Sequence, residues 1–536
     1  MEKNALKFVN QLDEVIEPLY KNCTLSFFNA SISGKPEDYD KSASAQLELE
    51  KIFMNQENFL TVENFFKTDS IQDPVLKRRI YLYYHAFLAR QADHKTQEEI
   101  INLQNSVEQA FSTFRAEVNG QKRSDNEIDK ILKESSDSIE VERAWKASKA
   151  IGCTIEKDVL KLVEMRNQIA AHLGFKNYHD MSLIMSEQNP DEIESIFNEL
   201  EKLTRPVFIK EKEKIDQFLA EKFSLPISEL RAWHYQNKFF QQGPEIFEID
   251  FDTLYQDKDL VAIAKQFYEG IGLPIEEILE KSDLFEKEGK YQHAYCIDID
   301  KSGDVRMVCN IKANNYWMNT LLHEAGHAVF SKNIDKNLPY TLRGEAHIFV
   351  TEAIAMFFGK LASNSAWLKD FAGLDAAQAQ ELSDASFRMI RLDQLVFCRW
   401  MMVMYHFEKS LYANPNQNLN KLWWDLVEKY QMITVPKDRN EPDWTTKVHI
   451  ATSPCYYHNY MLGELLSCQL NHYVVKNIVK SDDLINQRFM NQKELGKYLK
   501  EKIFEPGESY FWNELIEKAC GEPLSPAYFV ELYSKE

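Results

Sequence analysis

Residues 314–330 read NNYWMNTLLHEAGHAVF, with two histidines four apart, His323 and His327. On a helix that spacing puts both imidazoles on one face, one turn apart, where they can share a metal ion. Glu324 follows the first histidine and points slightly aside, as a general base acting on a metal-activated water must. Trp317, Leu321, Val329 and Phe330 mark this as a buried helix, in which unpaired ionisable groups are costly. One zinc ion is the expected occupant. Catalytic zinc needs a third protein ligand and one open coordination position.

The pattern HExxHxxGxxH would require Gly at 330 and His at 333, and the residues there are Phe330 and Asn333. Three candidates remain downstream: Glu345, His347 and Glu352. At helical spacing Glu352 shares a face with Ile348, Phe349, Ala355 and Met356, and a carboxylate on such a stripe needs a cation. Glu345 falls in an RGEA turn, where solvent could satisfy it. Glu352 is therefore the preferred third ligand, with the other two as alternatives.

The elements that must position these groups follow from composition. The 536 residues include only 17 Gly and 16 Pro, 33 together, where average usage gives about 64. Few turn-formers exclude a many-stranded sandwich or a propeller and favour long helices. Hydrophobic residues make up 44%, enough for a large core. The net charge of −20 repels phosphate backbones and anionic lipid surfaces, so neither nucleic acid nor a membrane is an expected partner. The most apolar stretch, LVFCRWMMVMYHF, is interrupted by Arg399 and His406. The N-terminus lacks a basic stretch followed by an apolar run, and the eight cysteines form no CxxC pair. These features predict buried thiols, a reducing compartment and a cytoplasmic location.

No Gly/Ser/Pro-rich linker, repeat or low-complexity tract divides the chain. Segments before about residue 290 read as successive amphipathic helices. Asn189-Pro190-Asp191 is a helix start, leading into a stripe of Ile193, Ile196, Phe197 and Leu200. The KEKEK run at 210–214 is expected to be a solvated helix face. One place departs from helix. Residues 292–309 alternate around Ser302-Gly303 and predict a β-hairpin, whose register would set Lys301 opposite Asp304 and Cys296 opposite Cys309. A short sheet edge can hold an extended peptide through backbone hydrogen bonds.

A third-ligand Glu 25 residues past the second histidine narrows the family. LPYTLRGEAHIFVTEAIA, residues 338–355, resembles the segment that supplies the third ligand in the angiotensin-converting-enzyme family of zinc peptidyl-dipeptidases. KVHIATSPCYYHNY at 447–460 resembles that family's Lys-x-His-Ile segment with its paired tyrosines, and QHAYC at 292–296 its His-Ala substrate strand. FYEGIGLPIEEILEKSDLFEK around residue 270 also fits. The resemblance covers roughly residues 140–480. Thimet-type and oligopeptidase-F-type peptidases share the plan.

The resemblance implies a mostly α, two-lobed helical fold with a deep central groove and the small hairpin beside the active site. The chain would form one peptidase unit, with residues 1–290 mainly N-terminal helices and 291–536 the zinc-binding catalytic part. Short unstructured peptides would be the substrates, cleaved by a monomer. The resemblance implies that His449 and Tyr460 hold the oxyanion, that Lys447 and Tyr457 receive the substrate's C-terminal carboxylate, and that His293 and Ala294 line the extended substrate. Such an enzyme would release C-terminal dipeptides; an endo-acting oligopeptidase and a non-catalytic peptide-binding protein are the alternatives. Departures from the family pattern are also visible. One extra residue between His449 and the tyrosines lets Tyr456 compete with Tyr457. Asn459 stands where the family has a chloride-binding Arg, Met356 where it has an Asp that orients a zinc histidine, and Gln292 where it has a Cys paired with the counterpart of Cys309. The carboxylate-binding Gln expected near WHYQNK is displaced by one position, to Gln236.

Overall fold

The computed structural model describes residues 1–534 apart from 93, 248, 372 and 488. It is mostly helical, and its described strands form two small antiparallel pairs. The chain divides into two compact units, each discontinuous in sequence. The first comprises residues 1–91, 249–386 and 462–532; the second comprises 92–248, 387–461 and 533–536.

Capping and apolar periodicity account for the long helices. In the second unit, Asn189 accepts hydrogen bonds from the N–H groups of Asp191 (2.9 Å) and Glu192 (3.3 Å). Pro190 opens the helix Pro190–Phe223, and Ile193, Ile196, Phe197 and Leu200 are buried as predicted. The expectation for KEKEK fails in part. Lys210, Glu213 and Lys214 are exposed, but Glu211 and Lys212 turn inward. Glu211 pairs with Arg391 at 2.8 Å, and Lys212 binds Asp216 and the Tyr235 hydroxyl. Their partners are 180 and 23 residues away along the chain at the furthest, so a local charge pattern carries no sign of them.

In the first unit, helix Asn315–Lys332 begins at Asn314, whose side chain accepts from the Trp317 N–H at 2.9 Å. Trp317, Leu321, Val329 and Phe330 are buried, and the Tyr268 hydroxyl donates to the Leu322 carbonyl at 2.6 Å. The next helix, Ile348–Gly359, is capped by His347, whose Nδ1 accepts from the Phe349 N–H at 3.2 Å. These two helices approach closely because of Gly326. A Cβ there would lie 2.9 Å from the Ala355 Cα, which no side chain tolerates without displacement of the backbone.

The predicted hairpin exists, as strands Tyr295–Asp298 and Val305–Val308. Its register differs from the expectation: Cys296 faces Met307, not Cys309, and Asp298 faces Val305. Two aspartates build a loop wider than a two-residue turn. Asp298 accepts from the N–H groups of Lys301 and Asp300, and Asp300 accepts from those of Ser302 and Asp304. All eight cysteines are free thiols; five are buried, while Cys153 is exposed and Cys23 and Cys296 are half-buried. A second hairpin, Ala116–Val118 with Gln121–Arg123, was not expected from the helical reading. Asn119 and Gly120 turn it with positive φ (54° and 75°), the signature of an Asn-Gly hairpin. Among the described residues no helix is long and apolar enough to cross a membrane.

Candidate functional site

His323 and His327 project from one face of helix Asn315–Lys332, and Glu352 comes from the middle of helix Ile348–Gly359. One donor atom from each of the three lies within 4.8 Å of the others. Glu352 Oε2 is 3.6 Å from His323 Nε2 and 4.0 Å from His327 Nε2. Both separations exceed a hydrogen bond. They approach the separation of about 3.3 Å that two ligands of one tetrahedral zinc would show. Gly463 gives Glu352 its room: a Cβ there would lie 3.3 Å from the glutamate Cβ.

The other two candidate ligands have different work. Glu345 accepts from the Ser331 hydroxyl at 2.5 Å, one turn beyond His327 on the same helix, and His347 is the cap already described. Burial alone explains most of the electrostatics. It pushes His323 down to about 4 and, with His323 beside it, His327 down to about 3. Burial also raises Glu352 to about 7. Two neutral imidazoles and a desolvated carboxyl are a donor set that a divalent cation fits. Glu324 is also buried. Burial first, and then the Glu352 charge, raise it to about 8, opposed by a hydrogen bond from the backbone N–H of Cys296 on the hairpin.

Nδ1 of His327 lies 2.7 Å from the Thr351 hydroxyl, a contact that the sequence pattern did not reveal. At the hairpin's entry His293 is exposed and Ala294 half-buried, ahead of the first strand residue, Tyr295.

A second constellation belongs to the second unit. The Lys447 ammonium donates to Gln241 Oε1 at 2.9 Å and lies 4.9 Å from the centroid of Tyr457 and 5.5 Å from those of Phe239 and Trp400. Burial first, and then the charge of Lys238, bring Lys447 down to about 8. His449 meets Tyr457 edge-on at 4.9 Å, and Tyr460 packs against both Tyr457 and Tyr456. His449 Nδ1 is buried without a hydrogen-bond partner, and burial, with Lys447 nearby, holds the ring down at about 4. Tyr457 is thus in contact with Lys447.

The irregular segment between His449 and Tyr460 is tied down by two buried charges. Arg166 donates to the Ile450 and Ala451 carbonyls, and Glu408 accepts from the N–H of Cys455, which takes φ +56°. Gln236 takes no part, since its side chain bonds the Lys133 carbonyl and the Glu245 N–H. Gln241 is the glutamine that reaches Lys447. It lies in a loop without periodicity, so spacing gave no signal.

The family model described as angiotensin-converting enzyme, peptidase M2, matches residues 1–534. The chain belongs to the angiotensin-converting-enzyme family. Individual relatives are distant. The angiotensin-converting enzyme of Theromyzon tessulatum is 22% identical over 438 residues, covering 77% of this chain and 71% of that protein. Carboxypeptidase 1 of Bacillus subtilis (strain 168) is 23% identical over 266 residues, 46% of this chain and 52% of the relative. The angiotensin-converting enzyme of Mesocricetus auratus is 24% identical over 282 residues, 51% of this chain and 21% of its own length. The match therefore spans about half of the Bacillus protein and about a fifth of the Mesocricetus one.

Within the angiotensin-converting-enzyme family this chain has its own substitutions. Asn459 is buried and accepts from Gln188 Nε2 at 2.7 Å, while Gln188 Oε1 meets His458 Nε2 at 2.6 Å. The chain thus has an uncharged hydrogen-bonded group where the resemblance led to an arginine. Gln292 donates to the Lys290 carbonyl, and Cys309 stays a free thiol.

Proposed function

We propose that the protein is a zinc metallopeptidase that hydrolyses short, unstructured peptides and releases dipeptides from free carboxyl termini. The observation that carries the reading is the convergence of His323, His327 and Glu352, with the Glu324 carboxyl beside them on the same helix turn. The three donors would hold one zinc ion, which when bound supplies Lewis acidity and lowers the pKa of water at the site. Glu324 then accepts a proton on its carboxylate and returns it to the leaving amine.

His449 and Tyr460 are assigned by resemblance to donate hydrogen bonds to the oxygen on which negative charge develops. A positioned donor of this kind contributes about 3–4 kcal/mol. Lys447 and Tyr457 are assigned to receive the terminal carboxylate. Their mutual contact and the Gln241 bond that fixes the ammonium support that role. The name of the Bacillus relative, a carboxypeptidase, points the same way. His293 and Ala294, at the start of the hairpin, would lie along the extended peptide.

Mass spectrometry of the products from one peptide and its C-terminally amidated twin tests this reading. Dipeptide release from the free form alone is the expected result. Equal internal cleavage of both would make the protein an endo-acting oligopeptidase. No cleavage of a diverse peptide set by the zinc-loaded protein would make it a peptide-binding relative.

A further inference from the structure

We propose that Thr351 is a positioning residue for the metal centre. Through its side-chain oxygen it fixes the ring orientation and tautomer of His327. The inference rests on the metal-binding reading above and adds a residue to it. Thr351 directly precedes Glu352, so one turn of helix Ile348–Gly359 would supply both a ligand and the partner of another ligand.

Metal ligation through Nε2 would assign the hydrogen. His327 Nδ1 and Thr351 Oγ1 are 2.7 Å apart, and Thr351 is buried, at 6% exposure. His327 Nε2 is the nitrogen turned toward Glu352, 4.0 Å from its Oε2. A nitrogen that ligates a metal must keep its lone pair, and neutral imidazole carries a single N–H. The hydrogen therefore sits on Nδ1, and the threonine oxygen accepts it. Histidine ligands usually give this second hydrogen to a carboxylate, a carbonyl or a water. Here the acceptor is a neutral hydroxyl. The position one turn after Glu352, which the resemblance gives to an acid, is Met356.

The test is metal binding itself, measured without substrate. Zinc affinity by competition with a chromogenic chelator, and the visible spectrum of the Co2+-substituted protein, are compared for wild type, Thr351→Val, Thr351→Ala and Thr351→Ser. Loss of the hydroxyl in the Val and Ala variants should weaken zinc about 10–100-fold. The cobalt bands should shift in the same variants. Thr351→Ser should restore both readouts to within about 3-fold of wild type, because it keeps the acceptor. Thermal unfolding of the metal-free proteins identifies any variant that fails to fold, and the Ala variant then stands in for Val. Wild-type affinity in Thr351→Val, or an equal loss in Thr351→Ser, would overturn the role. Failure of wild type to bind zinc at all would instead remove the metal centre and, with it, the proposed function.

Discussion

The metal donors and the Lys447 group are built in opposite ways. The first takes His323, Glu324 and His327 from one regular helix and Glu352 from the next, so helical spacing sets most of its geometry. The second gathers Gln241 and Phe239 from an irregular loop, Trp400 from the long helix Ala376–Ala413, and Lys447, His449 and Tyr457 from a segment with little regular structure. Buried Arg166 and Glu408 hold that segment by its backbone. Groups on rigid helices give an ion its fixed distances. Groups on loops are placed less precisely than groups on helices, and here buried tethers make up part of that difference.

The largest expected effects separate metal binding from chemistry within the helical site. Glu324→Gln should keep stoichiometric zinc and lose about 10²–10⁴-fold or more in kcat, since only the proton acceptor is removed. Glu352→Ala should lose the metal, as read by atomic absorption. Full activity in the first variant, or unchanged zinc in the second, would reassign those residues. In the second unit, Lys447→Met and Gln241→Leu should leave zinc content unchanged and raise KM for free C-termini about 10–100-fold, the worth of a hydrogen bond to a charged group. Amidated peptides should not respond. A loss of zinc in Lys447→Met would erase the contrast between the two regions.

Smaller effects sharpen the comparison. Gly326→Ala forces a Cβ against Ala355 and should cost about 1–3 kcal/mol of stability, read as a lowered Tm, with weaker zinc binding. Lastly, the carboxyls of Glu352 and Glu324, at about 7 and about 8, are protonated near pH 6, while the imidazoles, at about 4 and about 3, are neutral there. Binding a divalent ion requires ionised Glu352. Zinc uptake at pH 6 should therefore release at least one proton, that of Glu352, with a further contribution wherever the ion also ionises Glu324 or water at the site. Calorimetry in buffers of different ionisation enthalpy measures this. Uptake at pH 6 without proton release would contradict the stated protonation of Glu352.

Legibility followed the same division. The start of helix Pro190–Phe223 was readable because Asn, Pro and Asp act within one turn. The Asn119-Gly120 hairpin carries an equally local signal, an Asn-Gly turn, within a composition dominated by helix formers. The main hairpin was located, but its register depended on which backbone N–H groups Asp298 and Asp300 capture, and alternation alone cannot say that. Glu211 and Lys212 looked solvated because their burial needs Arg391 and Tyr235 from elsewhere in the chain. Glu345 and His347 could be set apart from Glu352 only once Ser331 and the Phe349 N–H were seen to occupy them.

By itself the sequence determined a helical protein and a pair of imidazoles one turn apart with an acid between them, since helical periodicity is a local property of the chain. It also carried the family, through segments whose spacing survives at low identity. The tertiary structure decided which of three acids and histidines meets that pair, that a threonine hydroxyl faces His327, and that Gln241 faces Lys447. Those contacts join residues far apart in the chain or on different elements. They depend on packing, such as the approach that Gly326 allows, and local patterns do not encode it.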